Sequence, residues 1–346
     1  MTPADDARLV AYSRDVIRSG SKSFAAAATL FEPRTRAGAY LLYAWCRHCD
    51  DVADGQTLGH GATAAPREAQ LARVAALERE TRGALAGEPA AEPVFQAFQA
   101  VAQVHGLPPA FALDHLSGFR WDAEGRPVRD AADLLDYCYR VAGAVGLMMA
   151  WIMGVRDEPT LDRACDLGLA FQLTNIARDV LDDAAVGRVY LPEDWLAEAG
   201  VPPDAVGAAR HRGAVFGLAE RLVGLAEPYY ASARWGMARL PFRSACAVGA
   251  ARGVYRRIGR KLVRQGPEAW AGRLSTSRAE KLAELGAGVG AAVRARLLDA
   301  RRAPPSRDGL WTRPASAGDA GQSRLARAPV GPEQPLGEGA ERARLA

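Results

Sequence analysis

The strongest constraint on the fold is a helical pattern that continues almost without interruption from about residue 6 to residue 300. Alanine, leucine and arginine are abundant, and β-branched residues are sparse in most segments. No series of alternating polar and apolar residues indicates a sheet. Breakers such as Glu88-Pro89 and Leu240-Pro241 divide the pattern into separate helices. The sequence therefore predicts an all-α fold, with long runs at 37–47, 66–85, 161–180, 214–233 and 244–265.

The composition predicts one large domain followed by a tail. The chain has 346 residues, of which 49% are hydrophobic, which is ample for a sizeable core. After Arg302 the sequence is dense in Pro, Gly, Ala and Arg and has no apolar periodicity. We predict one domain over 1–302 and a disordered tail over 303–346. Removal of that tail is predicted to leave folding and catalysis intact.

Charge, cysteines and hydropathy exclude several classes of protein. The formal net charge of +4 is spread among interspersed acidic and basic residues, so no nucleic-acid partner is indicated. No secretory signal opens the chain, and the five cysteines favour a reducing cytoplasm. Cys46 and Cys49 lack the second pair that a zinc site needs, which favours buried thiols. The apolar stretch 141–155 is too short for a membrane span and predicts a core helix.

The first cluster of residues that could take part in binding or catalysis contains Asp50 and Asp54. On a helix, residues four apart project from the same face, whereas Asp51 lies about 100° away. Two unpaired carboxylates at this spacing repel each other, and the penalty grows if that face is buried. A positive group is therefore expected between them.

A second cluster repeats this spacing 129 residues later. Asp179 and Asp183 are again four apart, and Asn175 and Gln172 extend the polar row out of an apolar helix. Carboxylate and amide oxygens suit Mg²⁺ or Mn²⁺, and Mg²⁺ is commonly shared between carboxylates and substrate phosphates. Two such rows facing each other across a bundle predict a diphosphate held between metal ions.

Several longer segments resemble the squalene/phytoene synthase family. They are Ser21-Lys-Ser-Phe24, the run from Tyr43 to Asp54, the run from Tyr137 to Gly146, Gln172-Leu-Thr-Asn175-Ile-Ala-Arg178-Asp179, and Gly187-Arg-Val-Tyr190-Leu-Pro192. They are most similar to the bacterial phytoene-forming members. The resemblance covers about 8–300, and no acidic position departs from the family pattern.

The resemblance implies a class I isoprenoid-synthase helical bundle around a central cavity. It implies that two geranylgeranyl diphosphates condense head to head, through prephytoene diphosphate, to phytoene, with release of diphosphate. Mg²⁺ or Mn²⁺ would serve as the cofactor, and NADPH is not expected.

The resemblance also assigns roles to individual residues. Metal binding is implied for Asp50, Asp54, Asn175, Asp179 and Asp183. Catalytic roles extend to Arg47 and Tyr43. Binding of the diphosphates or prenyl chains is implied for Ser21, Phe24, Arg47, Tyr137, Val141, Val145, Gly146, Gln172, Asn175, Arg178, Arg188, Tyr190, Tyr255 and Arg273.

Three other functions remain open at this point. A squalene or dehydrosqualene synthase of the same family would share the metal site, and the sequence does not measure cavity depth. A non-catalytic assembly relative should have lost acidic residues, which are all present. A class I terpene cyclase would not predict the Tyr-x-x-x-Arg-x-x-Asp pattern that ends at Asp50.

The chemistry of the product adds an expectation about location. Phytoene has no polar group, so its release into water would be strongly unfavourable. We therefore expect a cytoplasmic enzyme peripheral to the membrane, with transient contact to the membrane surface. Contacts with downstream carotenoid enzymes are a further expectation.

Overall fold

A computed structural model describes residues 3–55, 66–272, 274 and 277–314. Within this part of the chain there are thirteen α-helices, short 3₁₀ turns and no strand, which confirms the predicted all-α class. Four of the five predicted long runs lie inside helices, and the fifth, 66–85, begins one residue before its helix. The helices are α1 (Pro3–Gly20), α2 (Lys22–Ala28), α3 (Pro33–Asp54), α4 (Arg67–Ala86), α5 (Pro93–His105), α6 (Pro109–Ala123), α7 (Ala131–Cys138), α8 (Ala144–Ile152), α9 (Glu158–Ala185), α10 (Glu193–Glu198), α11 (Arg212–Gly236), α12 (Phe242–Gln265) and α13 (Arg278–Leu297).

The bundle is organised around α9, its longest described helix at 28 residues. It packs against α8, α11 and α12, while α3 packs against α1 and α5 on the opposite wall. Asp157 caps α9 by accepting a hydrogen bond from the Thr160 backbone N–H at 3.1 Å. At a rise of 1.5 Å per residue, α9 is about 42 Å long and extends along the whole cavity.

A buried aromatic cluster fixes the outer face of α3. The Trp45 ring stacks on Phe98 at 4.2 Å between centroids, and its indole N–H donates to Thr81 Oγ1 at 3.2 Å. Trp45 is fully buried. With one face of α3 anchored in the core, its other face is free to line the central cavity.

A π-helical turn, Tyr139–Gly143, joins α7 to α8. The sequence predicted a core helix over 141–155 but not this turn. Gly168 on α9 lies so close to it that an added Cβ would come within 2.5 Å of the Ala142 carbonyl oxygen. Gly146 makes an equally close approach to Ala164. These contacts bring α8 and α9 close together, and π turns of this kind are frequent at functional sites.

The structure corrects the predicted start of the disordered tail. Residues 303–314 are described and lie against α9, where Arg307 and Arg313 pair with acidic residues of that helix. Specific ion pairs hold this segment, and they leave no periodic signal in the sequence. The boundary at 302 is therefore too early, and residues 315–346 lie outside the described residues. Among the described helices, none is long and apolar enough to cross a membrane.

Candidate active site

The helices enclose one large cavity of about 1190 Å³. One end is lined by both acidic rows, and the rest is lined mainly by apolar side chains of α2, α8, α9, α11 and α12. Nearly all the residues implied by the resemblance lie on its walls: Ser21, Phe24, Tyr43, Arg47, Asp50, Asp54, Tyr137, Val141, Val145, Gly146, Gln172, Asn175, Arg178, Asp179, Asp183, Arg188, Tyr190 and Tyr255. Arg273, which was also predicted, lies outside the described residues.

Both acidic pairs lie at the C-terminal ends of their helices. Asp50 and Asp54 occupy the last turn of α3, which ends at Gly55 in the left-handed conformation with φ of 63°. Asp179 and Asp183 occupy the last two turns of α9. The C-terminus of a helix carries a partial negative charge, so it disfavours carboxylates. Four carboxylates in this position need cations.

Arginines supply part of that positive charge. Arg47 Nη1 lies 3.0 Å from Asp50 Oδ2, and Arg178 Nε donates to Asp179 Oδ1 at 2.7 Å. Arg188, in the loop after α9, reaches across to Asp54 on α3 and pairs with it. The loop therefore links the two acidic walls.

The arginines leave the acidic end incompletely neutralised. Desolvation, opposed by Arg47 and reinforced by the neighbouring Asp54, raises the pKa of Asp50 to about 6. Desolvation and Asp179 together raise the pKa of Asp183 to about 7. Within the described residues Asp183 has no ion pair. A bound cation would remove the repulsion that raises both pKa values.

The amide row is also available to a ligand. Asn175 Oδ1 is buried and has no hydrogen-bond partner within the described part of the chain. Its Nδ2 lies 3.5 Å from Gln172 Oε1. A buried oxygen without a partner is costly unless a ligand satisfies it. Asp51, by contrast, accepts a hydrogen bond from Arg47 at 2.9 Å and does not line the cavity.

The structure adds a carboxylate that sequence reasoning missed. Asp122 on α6 lines the cavity and accepts hydrogen bonds from the Tyr137 and Tyr190 hydroxyls at 3.0 and 3.2 Å. Burial raises its pKa to about 7, although nearby Arg188 lowers it. Asp122 has no partner at the i,i+4 spacing to draw attention to it. The available signal for Asp122 was its position one helical turn after Phe119, a residue that also lines the cavity.

Aromatic rings surround the passage from the acidic end to the apolar body. Tyr255 stacks on Phe171 at 4.2 Å and on Phe24 at 6.0 Å, and Phe24 lies 6.3 Å from Tyr43. Ser21 caps α2 by accepting a hydrogen bond from the Phe24 backbone N–H at 3.2 Å, which orients this helix at the cavity wall. Aromatic faces carry partial negative charge and attract cations.

The described residues contain no ready-made cluster of three or more His, Cys, Asp or Glu side chains that could hold a metal ion. Each acidic wall offers two carboxylates, so a bridging ligand such as a diphosphate is needed to complete coordination. Burial raises the pKa of the Cys46 and Cys49 thiols, and both cysteines are free.

Comparisons with known proteins agree with this geometry. The family model for squalene/phytoene synthase matches residues 17–280. A phytoene synthase from Pseudescherichia vulneris is 51% identical over 306 residues, covering 88% of this chain and 98% of the relative. A 15-cis-phytoene synthase from Enterobacter agglomerans is 53% identical over 295 residues, covering 85% of this chain and 99% of the relative.

A solved dehydrosqualene synthase shares the fold. Its crystal structure, determined with a ligand, superimposes with a TM-score of 0.74 at 28% identity, covering 84% of this chain and 99% of that one. The acidic rows, the large cavity that they line and the extent of these matches lead to the same conclusion. This chain belongs to the squalene/phytoene synthase family.

Proposed function

We propose that the chain is a phytoene synthase, a prenyltransferase that condenses two geranylgeranyl diphosphates head to head. The reaction passes through prephytoene diphosphate and releases diphosphate. The observation that carries the proposal is one continuous cavity with two facing acidic rows at one end and an apolar body at the other. Bacterial relatives named as phytoene synthases, at 51% and 53% identity over most of the chain, support this product.

The acidic end fits Mg²⁺ or Mn²⁺. Asp50, Asp54, Asp179 and Asp183 would hold the metal together with the substrate diphosphate, with Asn175 Oδ1 as a further oxygen ligand. The raised pKa values of Asp50 and Asp183 and the unpartnered Asn175 oxygen are the features that such an ion would relieve. When bound, the metal stabilises negative charge on the departing diphosphate.

The protein's own side chains perform the remaining tasks. Arg47, Arg178 and Arg188 lie beside the acidic rows and are placed to donate to diphosphate oxygens as charge develops there. The rings of Phe171 and Tyr255 line the adjoining passage, where they stabilise an allylic cation. The apolar walls exclude water, which would otherwise react with that cation.

Product release is the step for which we propose membrane contact. On α13, Leu282, Val289, Val293 and Leu297 form one exposed apolar stripe, between 41% and 67% accessible. Lys281, which precedes the stripe, lines the cavity. Exposed arginines beside its C-terminal end would favour an anionic lipid surface. A peripheral, cytoplasmic enzyme that delivers phytoene directly to lipid fits these features.

Liposomes test the membrane step. Anionic vesicles should speed multiple turnover and leave a single turnover almost unchanged, because only release is helped. Flotation with these vesicles should weaken as salt rises. A Leu282→Ser, Val293→Ser variant should float less. If vesicles alter neither turnover nor flotation, a downstream carotenoid enzyme must accept the product instead.

Product identification tests the function itself. Purified protein should convert geranylgeranyl diphosphate to phytoene with Mg²⁺ or Mn²⁺, and added NADPH should change neither rate nor product. Squalene or dehydrosqualene from farnesyl diphosphate at a higher kcat/KM would favour the other members of the family. No turnover of either substrate would favour a non-catalytic role.

A further inference from the structure

Residues 305–313, which we call the C-terminal strap, are tied to the N-terminal half of α9. Arg307 donates to both oxygens of Asp166, from Nε at 2.9 Å and from Nη2 at 2.7 Å. Asp166 is completely buried. The Trp311 backbone N–H donates to the Tyr229 hydroxyl at 3.1 Å. Buried ion pairs add little net stability compared with apolar packing, so a pair in this position calls for another explanation.

The strap also holds a side chain that faces the cavity. Arg163 lines the cavity and is only 8% accessible. Its Nη2 donates to the Pro305 carbonyl of the strap at 2.5 Å, and its Nη1 donates to Ser232 Oγ at 2.6 Å. Ser232 in turn donates to Asp166. The strap, Asp166 and the Arg163 guanidinium therefore form one hydrogen-bonded unit.

This unit lies at the end of the cavity away from the acidic rows. Arg163 precedes Asp179 by sixteen positions on α9, so the helical rise separates them by about 24 Å. Gly236 on α11 lies against Arg163, since an added Cβ there would come 2.8 Å from the arginine Cβ. A prenyl chain that reached this point could extend further only by breaking the hydrogen bonds of a buried guanidinium, which is costly.

We infer that Arg163, held in place by the strap through Asp166 and Pro305, sets the longest prenyl chain that the cavity accepts. This inference rests on the proposed function. Arg163 acts as the specificity-determining residue at the closed end, and Arg307 is a positioning residue for it. A geranylgeranyl chain fills the cavity up to Arg163, and a chain one isoprene unit longer is excluded.

Binding of unreactive substrate analogues tests this inference without catalysis. The analogues are thiodiphosphates of farnesyl, geranylgeranyl and geranylfarnesyl chains, titrated by calorimetry into full-length protein with Mg²⁺. Arg163→Ala should raise the affinity for the geranylfarnesyl analogue relative to the geranylgeranyl analogue at least about tenfold, because it lengthens the apolar cavity. Arg307→Ala should change this ratio in the same direction. Arg302→Ala, an exposed site just before the strap, is the matched control and should leave it unchanged.

Folding of each variant is checked by its melting temperature. If Arg307→Ala does not fold, the double variant Asp166→Asn, Arg307→Gln removes both charges without leaving one buried alone, and it should show the altered ratio. An unchanged ratio in folded Arg163→Ala protein overturns the inference even if wild-type protein binds every analogue. If wild-type protein binds none of them, the proposed function fails and the inference fails with it.

Discussion

The two ends of α9 each carry a pair of aspartates four residues apart, yet their surroundings differ. In the N-terminal half, Arg307 pairs with Asp166 at 2.7 Å and Arg313 pairs with Asp162 at 2.8 Å. In the C-terminal half, Asp179 pairs with its neighbour Arg178, and Asp183 has no ion pair within the described residues. The helix dipole opposes carboxylates only at the C-terminal end.

This difference in ion pairing separates aspartates with a structural role from aspartates that bind a ligand. At the closed end each carboxylate already has its partner, so the pair holds the strap. At the acidic end positive charge is missing, and the pKa of Asp183 is raised to about 7, first by desolvation and then by Asp179. The i,i+4 spacing is the same in both places. Pairing within the folded chain distinguishes them, and spacing does not.

The largest effect should come from removing a ligand at the acidic end. Asp50→Ala, Asp54→Ala, Asp179→Ala and Asp183→Ala should each lower kcat at least about a hundredfold, because each removes stabilisation of the leaving diphosphate. The melting temperature of Asp183→Ala without metal should stay the same or rise, since like-charge repulsion is relieved and no ion pair is lost. Steady-state kinetics at saturating metal and thermal unfolding measure the two effects.

Near-normal turnover in any two of these variants would contradict the assignment of the acidic end. Asp162→Asn is the matched comparison, because it alters a pair of the same spacing at the other end of α9. It should lower the melting temperature and keep most of the turnover.

The next largest effect should be on stability at the closed end. Arg307→Ala leaves Asp166 buried without its charge partner, so the free energy of unfolding should fall by about 3 kcal/mol. Truncation after Arg302 should be at least as damaging, whereas truncation after Pro314 should have little effect. Urea unfolding of the three proteins measures this. Equal stability of both truncated proteins would show that the strap does not hold α9.

Away from both ends of α9, His115 on α6 makes the free energy of unfolding depend on pH. It is 4% accessible, and burial lowers its pKa to about 4. Its Nδ1 lies 3.3 Å from the Arg140 carbonyl, which only accepts, so Nδ1 carries the hydrogen and donates. The lowered pKa keeps the ring neutral at pH 7, with a buried Nε2 that has no hydrogen-bond partner among the described residues. In the unfolded state the His115 ring binds a proton near pH 6.5, whereas in the folded state it does so only near pH 4. The contribution of His115 to the free energy of unfolding is therefore complete above about pH 6.5 and is lost as the pH falls towards 4.

Across that range the loss should amount to about 3 kcal/mol. His115→Gln can still donate to the Arg140 carbonyl but does not titrate. In this variant the fall in unfolding free energy between pH 7 and pH 4 should be smaller by that amount. Unfolding in urea at the two pH values measures it, and an identical fall in both proteins would mean that another group controls acid unfolding.

The smallest effect should come from the cysteine pair. Cys46→Ser, Cys49→Ser should keep its turnover with Mg²⁺ or Mn²⁺, because the metal ligands are the carboxylates. A zinc-specific chelator should not lower the turnover of the wild type permanently. EDTA should abolish turnover until Mg²⁺ or Mn²⁺ is added back. Stoichiometric zinc in the purified protein, lost together with the fold in the double variant, would contradict this account.

Sequence reasoning predicted the features that repeat. The helices follow from periodicity, and the acidic end follows from two rows with the same spacing. Features that depend on single contacts between distant parts of the chain were missed. Asp122 is a lone carboxylate whose partners, Tyr137 and Tyr190, come from other elements. The strap has no apolar periodicity, and its placement depends on Arg307 and Arg313 meeting acids of α9.

The most direct test of the account measures Mn²⁺ binding by electron paramagnetic resonance, with and without geranylgeranyl thiodiphosphate. Wild-type protein should bind Mn²⁺ weakly alone and much more tightly with the analogue, since neither acidic wall has enough ligands by itself. Asp183→Asn should lose this enhancement and Asp162→Asn should keep it. Equal enhancement in the two variants, or none in the wild type, would contradict the claim that charge pairing separates ligand carboxylates from structural ones.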